Sequence, residues 1–195
     1  VTDQMLEWAE NRLLQMERLD LAAFVFKSKS PSCGLSCKVF SPLGSALCAF
    51  FDFGKETAIA FRADMDALPI EEATGAAYAS RNPGNMHACG HDGHMAMLLE
   101  LARRLSDKKE NKNNILLIFQ PGEESPGGAE TICDTGILKE YHVKAIFGLH
   151  LWPGLESGVV ASRKNELMSR SSEVTVDIFG KAAHIAKSAE GVDAL

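Results

Sequence analysis

The 195-residue chain contains no apolar run approaching the roughly 20 residues that a membrane-spanning helix needs, so no membrane partner is expected. It also has no basic stripe. Lys and Arg stand in short groups such as Arg103-Arg104 and Lys108-Lys109, and the formal charge is -6, which disfavours a nucleic-acid surface. Residues 1–10 carry acids where a secretory signal carries bases. Cysteine is scarce and odd in number: the five lie at positions 33, 37, 48, 89 and 133 with no CxxC pair. That argues against a disulfide framework and suits a reducing, cytoplasmic compartment. Internal repeats and low-complexity stretches are absent. The chain starts at Val1 rather than Met and stops at Leu195 just after a helix start, so a section of a longer polypeptide is expected.

What is present is a 46% hydrophobic chain, enough for one core of ordinary size. Residues 4–19 place Met5, Leu6, Trp8, Leu13, Met16 and Leu19 mostly on one helical face. Residues 28–45 read as loop with one strand at Lys38 to Phe40. From Thr57 the pattern becomes regular. TAIAF, NILLIF and KAIFGLHL are buried-strand runs, and MAMLLELARRL and GAETICDTGILKE between them are helices. This alternation predicts an α/β fold, a mostly parallel sheet flanked by helices. SGVVAS and EVTVDIFG read as further strands, and a second domain is expected over 166–195 after a first over 1–165.

Ligands of a parallel sheet gather beyond the carboxyl ends of its strands. The segments there are RADMDALP (62–69), QPGEE (120–124) and GLH (148–150), joined by HACGHDGH (87–94) at the start of a helix. Cys89 and His91, two apart, suit zinc or a similar divalent ion. The bland alternative is a Gly-rich turn with Asp92 as a cap and a buried cysteine, but three histidines in eight residues weigh against it. Pro121-Gly122 turns the chain to present Glu123 and Glu124, so one carboxylate can ligate while its neighbour accepts a proton. Asp64 and Asp66 share one face, one near the metal and one orienting a ligand histidine, or they are ordinary turn aspartates before Pro69. His150, taken alone, is as readily a satisfied polar group. His87 and His94 flank the cluster as donors behind the ligands or as surface groups and remain unassigned, Cys33 and Cys37 are a remote metal-clip option, and Cys48 and Cys133 read as core.

RADMDALPIEE, MHACGHDGHMAMLL, IFQPGEE and FGLHLWP, in this order and spacing, resemble the bacterial amidohydrolases that include hippurate hydrolase and the N-acyl-amino-acid and N-acetyldiaminopimelate deacylases. The plant hydrolases of indole-acetyl amino acid conjugates belong to the same group. The resemblance covers roughly 57–195 and implies a zinc exopeptidase-like catalytic domain with two divalent ions, zinc first, with manganese, cobalt or nickel as alternatives. Cys89, His91, Glu124 and His150 match its ligand positions, and Glu123 its general base, which activates a metal-bound water against the amide of a small N-acyl amino acid. Asp64 is carried over with the metal site and Asp66 with the catalytic residues. The resemblance also implies an inserted α+β lid domain that mediates a homodimer and supplies a catalytic histidine, here His184.

Three departures stand out. Ala182-Ala183 replace two common glycines, the N-terminal His-x-x-Pro-Glu segment is absent, and the family's last ligand histidine is not within the 195 residues. The stretch alone is therefore expected to be inactive. Two rival readings are a hydrolase with Cys89 as nucleophile and a non-catalytic metal-binding module.

Overall fold

The computed structural model describes residues 37–125, 127–168 and 174–194. The helix expected over 4–19 and Cys33 lie outside them. The chain divides into two compact units between Leu155 and Glu156.

The first unit is built on five strands, β1 (Lys38–Phe40), β2 (Leu47–Phe51), β3 (Ala58–Asp64), β4 (Asn114–Gln120) and β5 (Val143–Gly148), in the order β1-β2-β4-β3-β5. β3 runs parallel to both β4 and β5, as the alternation of strands and helices requires. β1 pairs with β2 and β2 with β4, both in antiparallel fashion, so the sheet is mixed. LCAFF, unread as a strand in the sequence, forms β2. Its short hairpin connection to β1 carries no helix, which permits the antiparallel pairing.

β4 explains the layering. All seven of its residues are buried. Alternate side chains serve opposite faces: Ile115, Leu117 and Phe119 join Ala63, Leu98, Ala102 and Leu105, while Leu116 and Ile118 join Ala60, Cys48, Ile132 and Ile137. The first face is covered by α1 (His91–Ser106), the second by α2 (Gly128–Asp134) and α3 (Ile137–Glu140). Removing a side chain such as that of Leu117 would cost about 2–5 kcal/mol. Asn114 pins the edge of this core, its Oδ1 accepting from the Phe53 and Lys55 amides and its Nδ2 donating to the Lys55 carbonyl.

Several expectations need correction. α1 begins at His91, four residues before MAMLLELARRL, from an unusual left-handed Gly90 without a side-chain cap. His91 and His94 thereby fall three apart in one helical turn and on one face. The single helix expected over 128–140 breaks at Thr135-Gly136, where Gly136 adopts a φ of 76°. Cys133, expected in the core, is exposed on α2, where Ile132 takes the inward direction. Cys48 is buried as expected, and burial pushes its thiol up to about 12.

In the second unit SGVVAS and the described part of EVTVDIFG form no strand, and Val174, Val176, Ile178 and Phe179 are exposed. A period-two pattern makes a strand only where a ladder partner exists, and among the described residues these segments have none. Among its described residues the unit contains a bridge, Lys181 to Val192, and a 3-10 helix over Ile185–Glu190. No helix among the described residues is long and apolar enough to cross a membrane.

Candidate metal centre

The expected site residues of the first unit come from the ends of β3, β4 and β5 and the start of α1. Asp64 ends β3, Glu123 and Glu124 follow β4, and His150 follows β5, so the parallel register carries three chain segments to one side of the sheet. His91, on the first turn of α1, stands where they converge.

His91 is almost fully buried, and its Nδ1 lies 2.8 Å from the backbone carbonyl of Asp66. A carbonyl only accepts, so Nδ1 carries the ring proton and Nε2 presents a bare lone pair. That Nε2 is buried without a hydrogen-bond partner. It faces Glu124 Oε1 at 3.7 Å, Asp64 Oδ2 at 3.7 Å and Glu123 Oε2 at 3.9 Å. A buried acceptor aimed at three carboxylates is costly as it stands and is satisfied by a cation. On the other side, Cys89 Sγ lies 3.6 Å from His150 Nε2, and His150 Nδ1 donates to the Leu151 carbonyl at 2.6 Å. His150 therefore also turns a bare Nε2 toward the cluster. Two triplets, Cys89-His91-His150 and His91-Glu123-Glu124, each have ligand atoms within 4.8 Å of one another and share His91. Thiolate, imidazole and carboxylate together form a donor set suited to a divalent ion.

The two aspartates brace this arrangement. Asp66 Oδ2 accepts the Glu124 amide at 2.8 Å, and its Oδ1 lies 3.3 Å from His91 Nδ1. Asp66 thus fixes the acidic turn through its carboxylate and the ligand-like histidine through its backbone carbonyl. Burial pushes the Asp66 carboxyl up, but backbone hydrogen bonds from Glu124 and Glu123 outweigh it and hold the group below its ordinary value. Asp64 is also buried. Burial raises it, while the bond from His94 and the charge of Arg62 bring it down overall. Its Oδ1 is engaged by His94 at 2.5 Å and its Oδ2 by Arg62 at 2.7 Å. The Cys89 thiol is pushed up, first by burial and then by the hydrogen bond and negative charge of Glu124. His184 belongs to the second unit, where its Nδ1 accepts the Ala186 amide at 3.2 Å.

Sequence reasoning left His94 unassigned and missed Arg62 and Gln120, all linked to Asp64 or its neighbours. The signal for His94 was its three-residue spacing from His91 once the helix is started at position 91. Arg62 and Gln120 carried none, because their partnership arises from the parallel register that sets β3 beside β4.

Side chains of metal-ligating type thus gather beyond the carboxyl ends of the parallel strands, the arrangement of a metal-dependent α/β enzyme domain. Residues 60–195 match the family model described as peptidase family M20/M25/M40, and the chain belongs to this family. It is 43% identical over 131 residues to N-acetyldiaminopimelate deacetylases of Listeria monocytogenes and of Bacillus subtilis, covering 67% of this chain and 35% of each relative. The chain thus spans about a third of the length of the curated relatives it matches. Among solved structures, a dinuclear metal-binding peptidase of the M20 family from Bacillus subtilis is 37% identical with a TM-score of 0.53, covering 62% of this chain and 34% of that one.

Proposed function

We propose that the protein carrying this chain hydrolyses the amide bond of N-acyl amino acids, with Cys89, His91, Glu124 and His150 holding two divalent cations and Glu123 acting as general base. The observation that carries this reading is the buried, unpartnered Nε2 of His91 facing Glu123, Glu124 and Asp64. The donor set favours zinc, with manganese, cobalt and nickel as alternatives. Similarity to deacetylases supports a small acylated substrate. When bound, the cations would supply Lewis acidity, polarising the substrate carbonyl and making a water more acidic.

The chain's own residues do the rest. Glu123, the more exposed of the acidic pair, takes the water's proton on its carboxylate and returns it to the leaving amine, so one group serves both steps. Asp66 accepts the Glu124 amide on its carboxylate and the His91 Nδ1 proton on its backbone carbonyl, keeping the acidic turn and the ligand in register. Asp64 lies at the margin of the ligand set through Oδ2. The segment from Glu166 onward begins a lid that mediates a homodimer, in which His184 hydrogen-bonds the developing oxyanion. A thiolate ligand suits a reducing cytoplasm.

The 3.6 Å approach of Cys89 to His150 also favours a second reading, a cysteine nucleophile with a histidine base. Against it, His150 Nδ1 is oriented by a backbone carbonyl rather than a carboxylate, and the surroundings of Cys89 disfavour the thiolate in the absence of a cation.

In the full-length protein, Glu123→Gln should leave metal content unchanged and lower hydrolysis of an N-acetyl amino acid at least ~100-fold. Glu124→Gln should lower metal occupancy instead. Near-normal turnover by Glu123→Gln would overturn the assignment of the base.

A further inference from the structure

His94 is the one buried histidine at this site with both ring nitrogens committed among the described hydrogen bonds. The Leu151 amide donates to its Nε2 at 2.9 Å, so that nitrogen presents its lone pair. The ring proton therefore sits on Nδ1 and is donated to Asp64 Oδ1 at 2.5 Å. Asp64 is anchored in turn by Arg62, whose Nε donates to Gln120 Oε1 at 2.8 Å. The other end of the chain of bonds leads to a proposed ligand. Leu151 receives the His150 Nδ1 proton on its carbonyl at 2.6 Å, and the rings of His94 and His150 meet edge to face with centroids 4.6 Å apart. The Leu151 side chain rests on the start of α1, where a Cβ built on Gly93 would lie 2.6 Å from Cδ1.

We infer that His94 is a positioning residue which, by anchoring the Leu151 N–H, holds residue 151 so that its carbonyl, in the next peptide unit, fixes the tautomer and direction of His150. The inference rests on the reading of His150 as a metal ligand. A histidine ligates only through an unprotonated nitrogen, so the group that fixes its tautomer decides whether the ligand is ready. The Leu151 carbonyl plays that part for His150, and the Leu151 amide is held by His94. The Asp64-His91-His94 grouping, compact enough to suggest a further cation site, has Asp64 and His94 spent on this relay.

The test uses the full-length protein, 15N-labelled and metal-free, with long-range proton-nitrogen correlation to read histidine tautomers. Wild type should show single Nδ1-H tautomers at both His94 and His150. His94→Asn keeps a donor toward Asp64 but lacks the distal acceptor. It should leave His150 averaging between tautomers and weaken zinc binding by about 10- to 100-fold. His94→Gln, which places an amide oxygen near the position of Nε2, should restore the His150 signature and part of the affinity. An Nε2-H tautomer at either histidine in wild type overturns the inference without any variant. So does a His94→Asn protein with an unchanged His150 signature and zinc affinity. Failure of wild type to bind zinc would instead overturn the ligand reading, and the tautomers would still decide the role of His94.

Discussion

Two adjacent glycines, Gly127 and Gly128, allow the placement of the acidic turn to be tested separately from stability. An ideal Cβ on Gly128 would lie 2.2 Å from the Gly122 carbonyl oxygen and 2.4 Å from that of Pro121. Carbon against a carbonyl oxygen needs at least roughly 3.3 Å, so Gly128→Ala must push backbone apart by about 1 Å. Both obstructing atoms are main chain and belong to the turn that presents Glu123 and Glu124. Overpacking of this kind costs about 1–3 kcal/mol, and misplacement by ~1 Å costs catalysis on the order of 100-fold. Gly127, by contrast, has a φ of 94° and nothing within 4 Å of its would-be Cβ. Gly127→Ala should therefore cost about 1–2 kcal/mol from the left-handed backbone alone and leave the turn where it is. Urea unfolding, zinc titration and N-acetyl amino acid hydrolysis on both full-length variants give the comparison. The two should lose similar stability, but Gly128→Ala alone should lose metal affinity and turnover. Gly128→Ala with wild-type zinc affinity and rate, or equal site losses in both variants, would refute the reasoning.

A ligated Cys89 is shielded by the bound cation, so zinc should protect it from alkylation and a chelator should expose it. Mass-spectrometric labelling rates at Cys89 that are equal with and without zinc would remove it from the ligand set. On α1, hydrogen bonds from Arg103, and then Arg104, hold Glu100 down to about 2. A carboxyl depressed on folding stabilises above its unfolded pKa of about 4.3, and the contribution is lost as pH falls toward 2. Because both arginines are more than half exposed, we expect only about 0.5 kcal/mol, measurable as a stability gap between wild type and Glu100→Gln at pH 7 that closes near pH 2. A gap that persists at pH 2 would place the effect elsewhere.

What could be read from the sequence follows from which interactions are local. β3 and β4 carry apolar runs because both of their faces are covered, and such runs announce themselves; β5 carries a similar run at the sheet edge, where Ile146 and Phe147 are exposed among the described residues. β2 is five residues long, and what made it a strand is its non-local pairing with β4, Leu47 opposite Phe119 through Phe51 opposite Ile115. EVTVDIFG shows the converse, a clear local alternation without a partner among the described residues. The same division runs through the site. Glu123 and Glu124 drew attention as donor residues after a strand, and Cys89 and His91 as donors at a helix start, while the ligand set with His150 came with the family resemblance. His94 stayed unassigned, because its significance lies in a backbone amide 57 positions away, and a backbone amide carries no sequence signature. Arg62 likewise looked like one more charge in RADMDALP until the parallel register set its strand beside Gln120. Side chains that meet a cation must be of particular types, and a pattern of types can be read. Those that hold the ligands in place need only one donor or acceptor at the right point. Many residue types can supply it, so the fold rather than the composition selects the partner.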